Sequence, residues 1–386
     1  MGVNIGLTAN RPWRYPWIVK GQGCPILMEG ELSHLTGHLT SRMSSPSSLK
    51  NKNIIKKQSM NKILVEGKYG HGAILHSPAK HKKIHQSRQF VGQDSSPYDW
   101  TQSLTRNYTQ PIKNQYQAGM CGGELYSQAM QIFRTLSLGL PFQELSEISV
   151  YSQEHYEPDG MSVQQMEDIA SFKGLTTFSN VPTPVNCTEA QAQSTSWENA
   201  NTLKDCLLDS GMMMVSVPIN IDSIAQAIRD YYFVGFCLGG TNNGSWLSAY
   251  PIAPIAGSIP QWGHFMCSTT NIPANPTVKQ VPFYQSWGEE VGDKGIQYFT
   301  ESYIDSGFIY DAFTFIKHTF QQNLQFGMIN QDVKYLQVKL GMASNTFGFG
   351  VFGPKTLVAV KAYQAANGIQ TTGFVGIETR AALNKI

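Results

Sequence analysis

Residues 115–133 read Gln115-Tyr116-Gln117-Ala118-Gly119-Met120-Cys121-Gly122-Gly123-Glu124-Leu125-Tyr126-Ser127-Gln128-Ala129-Met130-Gln131-Ile132-Phe133. Leu125, Ala129, Ile132 and Phe133 recur at helical spacing, so the stretch is a loop running into a helix with a thiol at its start. A helix N-terminus presents unsatisfied N–H groups and the positive end of the macrodipole, and both favour thiolate over thiol. The thiolate is the attacking species in cysteine chemistry, which makes Cys121 the candidate nucleophile. Cys24, Cys187, Cys206, Cys237 and Cys267 have no such context, and none of the six forms a CxxC pair. Zinc and dithiol redox centres are therefore not expected, nor is any metal or cofactor. Cys187–Cys206 or Cys237–Cys267 could pair in an exported protein; buried free thiols are the expected state.

A cysteine nucleophile also needs an imidazole and a donor for the developing oxyanion. Upstream stand Tyr98-Asp99-Trp100 and Pro111-Ile112-Lys113-Asn114-Gln115; downstream stand Gly263-His264-Phe265 and Gln285-Ser286-Trp287-Gly288-Glu289-Glu290-Val291-Gly292-Asp293-Lys294-Gly295. Taken in this order around Cys121, these segments resemble the papain family of cysteine peptidases. The resemblance implies an α+β, two-lobed fold with the site in the cleft between the lobes. It implies Cys121 as nucleophile, and His264 as general base and later as acid for the leaving amine. By the same resemblance Gln115 forms the oxyanion hole with the Cys121 N–H, Gln285 orients His264, and Trp287 shields that hydrogen bond. Three positions depart from the family pattern: Gln285 replaces an asparagine, Gly122-Gly123 replace a bulky aromatic segment, and Ala118 replaces a cysteine commonly held in a disulfide. Two glycines in a first helical turn cost about 1 kcal/mol each against alanine and are expected to leave it flexible.

Asp159-Gly160-Met161-Ser162 leads into a helix over Val163–Ala170 with Met166, Ile169 and Ala170 inward. Gly160 either lets a substrate backbone approach closely, as in the family's glycine-rich binding strand, or marks an ordinary turn. Met212–Val217, Tyr232–Phe236, Phe265–Cys267 and Ile296–Phe299 read as strands, so a helical first half precedes a strand-rich second half. His34, His38, His71, His76, His81, His85, His155 and His318 fall in no motif.

From Gln331 a second pattern takes over. Val333, Leu336 and Leu340, then Leu357, Val358, Val360, Tyr363 and Leu383, mark apolar helical faces, with Gly350, Gly353, Gly368 and Gly373 at turns and Pro354 able to open a helix. These are three short helices. The spaced features Asp332-Val333, Leu336-Gln337, Gly350-x-Phe352-Gly353-x-x-Thr356, Ala359-Val360-x-x-Tyr363-Gln364 and Gly373 with Glu378-Thr379 resemble the helical peptidoglycan-binding domain of wall hydrolases. The family usually carries Asp where this chain has Phe349.

The 386 residues carry a net charge of +2 that hides a division. Residues 1–93 hold 14 Lys and Arg against 3 Asp and Glu, and the remainder holds 15 against 24. This basic arm, with blocks such as Lys50-Asn51-Lys52 and Lys80-His81-Lys82-Lys83, shows little apolar period and is expected to be poorly packed. It reads as a solvated tail, a removable pro-segment, or a contact for anionic polymer, and Met60 is an alternative start. No secretory signal, myristoylation pattern or apolar run near the ~20 residues of a membrane helix is visible. The expected organisation is an arm over 1–93, a papain-like body over 94–317, a linker over 318–329 and a wall-binding bundle over 330–386. Expected partners are peptidoglycan through residues 330–386 and a peptide or protein in the central cleft, with nucleic acid not expected. The implied place of work is extracellular, at a bacterial wall or delivered by a phage. The alternative is an inactive body serving as a peptidoglycan-binding adaptor or phage structural part.

Overall fold

The computed structural model describes residues 65, 68–75 and 96–385. Cys24, Met60 and the lysine blocks of the arm lie outside the described residues. In chain order the elements are α1 (Cys121–Ile132), α2 (Glu147–Tyr151), α3 (Val163–Asp168), α4 (Glu189–Ala192), α5 (Ala200–Cys206), β1 (Met212–Ser216), α6 (Ile221–Tyr231), β2 (Gly235–Gly240), β3 (Trp262–Ser268), β4 (Gln280–Tyr284), β5 (Ile296–Thr300), α7 (Glu301–Ile304), β6 (Ile309–Lys317), α8 (Gln331–Lys339), α9 (Pro354–Ala366) and α10 (Ile377–Leu383). Six strands form one antiparallel sheet in the order β1-β6-β2-β3-β4-β5. The helical first half and strand-rich second half follow the sequence reading.

α1 is the central element of the helical half, and every one of its residues is buried. Its first turn holds the two glycines, and their role differs from the flexibility expected of them. A Cβ at Gly122 would lie 2.7 Å from the Met161 sulfur, and one at Gly123 would lie 2.4 Å from the Glu147 carbonyl oxygen. The aromatic side chain of the family pattern has no room here, because α2 and the Met161 segment press directly on the helix backbone. Ser162 caps α3 in a reciprocal box with Gln165, and Met166, Ile169 and Ala170 are buried as expected.

In the strand half, α6 lays Ile221, Ile224, Ala225 and Ile228 on the sheet and ends at Tyr232 in the left-handed conformation, φ 76°. That stop delays β2 to Gly235, three residues later than the apolar run suggests. β3 carries His264 and is buried at every position. Its partner β2 sets Cys237 opposite Phe265 and Cys267 opposite Gly235, so these thiols do not pair. All five described cysteines are buried and free.

The C-terminal helices share a core with the body. Phe172, Phe320, Leu324, Tyr335, Leu336, Phe352, Val360 and Leu383 form one apolar cluster. Tyr335 stacks on His318 at 3.9 Å between ring centroids, lies against Phe172 at 5.2 Å, and its hydroxyl is 3.0 Å from the Ser171 hydroxyl. Phe349 packs edge-on against Phe172 at 5.6 Å, which accounts for an aromatic at that turn. Residues 318–329, expected as a linker, are built into this core through Phe320 and Leu324. Val358, placed on the apolar face by its spacing, is instead 68% exposed. Truncating a buried aromatic leaves a cavity that costs about 3–5 kcal/mol. Tyr335→Ala is expected to destabilise the body together with the C-terminal helices, seen as one cooperative denaturant transition shifted to lower midpoint. Two separated transitions would show the two parts to be independent.

Candidate active site

Gln297 on β5 donates its amide protons to the carbonyls of Trp246 (2.7 Å) and Ser248 (3.1 Å). Its oxygen must therefore face Gln285, whose amide donates to it at 2.7 Å. That turns the Gln285 oxygen toward the Ser286 N–H (2.9 Å) and toward His264 Nε2 (3.2 Å). An acceptor at Nε2 requires the proton to sit there, leaving the Nδ1 lone pair bare. Nδ1 is buried and has no hydrogen-bond partner among the described residues. Trp287 stacks on the imidazole at 4.6 Å and an interplanar angle of 27°. The extra methylene of Gln285 is thus accommodated by a second glutamine, Gln297, which sequence reasoning missed. Only burial marks it: Gln297 is a fully buried polar residue in a strand whose neighbours Ile296 and Tyr298 are half-buried.

Cys121 begins α1, as expected, and packs with Phe265 of β3 in one buried cluster. Gln115 hydrogen-bonds through its amide to the Ala118 carbonyl (2.7 Å), and its oxygen accepts from the Ser286 hydroxyl (2.5 Å). The Ser286 oxygen lies 3.5 Å from His264 Nε2, so Gln115, Ser286, His264 and Gln285 form one buried network. Gly160 adopts φ +95° immediately before Met161. Of the residues singled out in the sequence, Cys121, His264, Gln285, Gln115 and Trp287 converge on this region, and Gly160 lies across from β3.

Between the two sides runs a strap of the arm, Lys68-Tyr69-Gly70-His71-Gly72-Ala73-Ile74-Leu75. Gly72 accepts from the Met161 N–H (2.6 Å), Ile74 donates to the Met161 carbonyl (2.9 Å), and Ala73 donates to the Gly263 carbonyl (3.1 Å). The Gly70 carbonyl accepts from Gln115 (3.2 Å) and from the Trp287 indole (3.0 Å). Tyr69 stacks on Trp287 at 5.3 Å. A Cβ at Gly72 would fall 1.7 Å from the Gly119 carbonyl oxygen, so only glycine fits. The expectation of a poorly packed arm fails for this part: Val65, Tyr69 and Ala73 are buried, because a glycine-rich strand can pair with backbone on both sides at once.

Burial under the strap sets the electrostatics. The Cys121 thiol is pushed up to about 12 by desolvation, partly offset by backbone hydrogen bonds from Phe265, Gly72 and Gly122. Desolvation lowers His264 to about 3, with the Gln285 hydrogen bond opposing and nearby His71 assisting. The covered pair is therefore neutral thiol and neutral imidazole, not the thiolate that the helix N-terminus alone suggests. Burial and the neighbouring Glu147 push the carboxyl of Glu124, one turn into α1, well above the ordinary carboxylate range, with the Lys113 charge opposing.

The model of the peptidoglycan binding domain family matches residues 330–383. Xylellain, a cysteine protease from Xylella fastidiosa, matches with a TM-score of 0.50 at 17% identity, over 65% of this chain and 96% of its own. The body has the papain-like cysteine protease fold. Digestive procathepsin L 3 of Tenebrio molitor larval midgut follows with a TM-score of 0.44 at 16% identity, over 62% of this chain and 77% of its own. A cysteine protease of Carica candamarcensis gives 0.40 at 17%, over 57% and 98%. The assignment of the fold rests on xylellain. A search of curated proteins found no match. This papain-like body and its peptidoglycan-binding domain have no helix among the described residues long and apolar enough to cross a membrane.

Two outcomes are expected. In wild type at neutral pH, ¹⁵N NMR of the imidazole shows a single Nε2–H tautomer; Gln297→Leu frees Gln285 to rotate and gives a mixture of tautomers. A histidine with its folded pKa below its ordinary 6.5 is stable as the neutral form, so acid favours the unfolded or uncovered state. The stability of wild type relative to His264→Gln is expected to be constant above pH 6.5 and to fall as pH drops from 6.5 toward about 3, read by denaturant unfolding of the two proteins in parallel.

Proposed function

We propose that the protein is a cysteine peptidase, covered by its own strap and delivered to bacterial cell wall by its C-terminal domain. The observation that carries this reading is the bare Nδ1 of His264: a buried imidazole held in one tautomer, with that nitrogen unpaired, on the strand that packs against the Cys121 helix. Buried polar groups are mostly hydrogen-bonded, so a bare nitrogen in this network calls for a task. In the reaction, Nδ1 takes the Cys121 proton as sulfur attacks a peptide carbonyl carbon. The tetrahedral oxyanion is met by the Gln115 amide and the Cys121 N–H. Collapse breaks the C–N bond, and the imidazolium gives its proton to the leaving amine. Water, deprotonated by His264, then cleaves the thioester and frees the thiol.

The strap supports a resting form. Its Gly70 carbonyl uses the Gln115 amide, and its Gly72 backbone lies against Gly119, two residues before Cys121. Removing the arm rehydrates both groups, lowers the thiol pKa and raises the imidazole pKa, restoring the pull of the helix N-terminus. The favoured substrates are peptide bonds of proteins or peptides held at peptidoglycan, with wall stem peptides as the competing class. Tethering raises local concentration without new contacts at the reacting centre.

An epoxysuccinyl probe is expected to label Cys121 faster in protein lacking residues 1–93 than in the full chain, with no adduct in Cys121→Ala. His264→Ala should lower kcat/KM at least about 100-fold. An unlabelled Cys121 in the shortened protein would overturn the reading and leave an adaptor. Mass spectrometry of digests of purified peptidoglycan and of a denatured protein separates the two substrate classes, and sedimentation with insoluble peptidoglycan checks the delivery.

A further inference from the structure

Glu189 opens α4 and is used by none of the steps above. Its Oε2 accepts from the Gly119 N–H at 2.6 Å, two residues before Cys121. Its Oε1 accepts from the Tyr151 hydroxyl at 2.6 Å and from the Gln193 amide at 3.1 Å. The Tyr151 oxygen in turn accepts from the Gly160 N–H at 2.6 Å. Burial and the adjacent carboxylate keep the Tyr151 hydroxyl protonated, so it donates to Glu189 while accepting from Gly160. One carboxylate thus ties three segments: the loop that presents the thiol, the end of α2, and the edge at Gly160-Met161.

That edge is where an extended chain is held. Met161 pairs through both its N–H and its carbonyl with Gly72 and Ile74 of the strap, and Gly119 lies against Gly72 from the other side. Gly160 sits at φ +95°, a conformation whose amide direction is set by whatever receives its N–H. With a glycine at each end of the tie, neither segment has a side chain of its own to fix it. Charge-assisted hydrogen bonds to a carboxylate are the stronger class, and three converge here.

We propose that Glu189 is a positioning residue: through Gly119 and through Tyr151–Gly160 it sets the distance and angle between the thiol-bearing loop and the edge that pairs with an extended peptide. This rests on the peptidase reading for its kinetic consequence but not for its structural one. The two arms of the tie make different predictions. Tyr151→Phe cuts only the Gly160 arm, so in protein lacking residues 1–93 KM for a peptide substrate rises about fivefold with kcat within twofold. Iodoacetamide, which does not pair with the edge, alkylates Cys121 at the wild-type rate. Glu189→Ala cuts both arms, so KM rises and kcat falls more than tenfold, and Glu189→Gln, which keeps an acceptor for the Gly119 N–H, recovers part of kcat but not KM.

Hydrogen exchange in the full chain reads the same tie without chemistry. Glu189→Ala and Tyr151→Phe should speed exchange of the Met161 and Ile74 amides while exchange in α6 stays unchanged. Unchanged exchange at Met161 overturns the proposal, as does a uniform rise across the protein with a matching fall in melting temperature, which would mark a merely structural carboxylate. Wild-type kinetics in both variants, with an active parent, also overturn it. An inactive, unlabelled parent with the local exchange effect intact overturns the peptidase reading and leaves Glu189 as the organiser of the edge.

Discussion

The two carbonyls that receive the Gln297 amide protons constrain everything around His264. Once Trp246 and Ser248 are fixed in the loop after β2, Gln297 has one orientation, Gln285 has one orientation, and the imidazole has one tautomer. Gln297, Gln285 and His264 are fully buried, and that is why the order is decisive: in a low-dielectric interior a flipped amide leaves donors facing donors, with a penalty several times the net worth of one hydrogen bond in water. A shorter asparagine could reach the imidazole without such support. Gln285, with one more torsion, needs its far end held, and β5 supplies the hold.

Burial and the helix macrodipole act on Cys121 in opposite directions, and the magnitudes decide between them. A helix N-terminus contributes about 0.3–1 kcal/mol, up to ~2 in favourable geometry. Raising a thiol from 9.0 to about 12 corresponds to roughly 4 kcal/mol against the thiolate. Under the strap, desolvation wins. On the proposed reading the helix position matters only once the strap is gone, so the same residue would be inert in one state and poised for ionisation in the other without any change in the helix itself. The strap exerts this control cheaply, because its glycines at 70 and 72 bring backbone against the backbone of Ala118 and Gly119.

The C-terminal helices are not a free module on a string. Phe172 closes the body's third helix against Tyr335 and Phe349, and His318 bridges the end of β6 to Asp332 through a 3.1 Å contact. A shared apolar core fixes the peptidoglycan-binding domain in one orientation on the papain-like body. Whatever surface that domain holds, the region around Cys121 is carried to it at a set angle.

By itself the sequence determined the order of elements, the helix that begins at Cys121 and the C-terminal helical domain. These are local: a cap, an apolar period of 3.6 and spaced motifs are written in neighbouring residues. The late start of β2 after Tyr232, the exposure of Val358, the burial of the expected linker and the need for glycine at 122 and 123 were decided by what packs against each residue from far along the chain. The arm is the clearest case. Its composition is basic and aperiodic, yet eight of its residues thread between Met161 and Gly263, which lie about a hundred positions apart in sequence. Backbone hydrogen bonds carry no side-chain signature, so a strap held by its main chain cannot be read from side chains. The same holds for Gln297 and Glu189, whose roles come from acceptors and donors that only the fold brings within 3 Å.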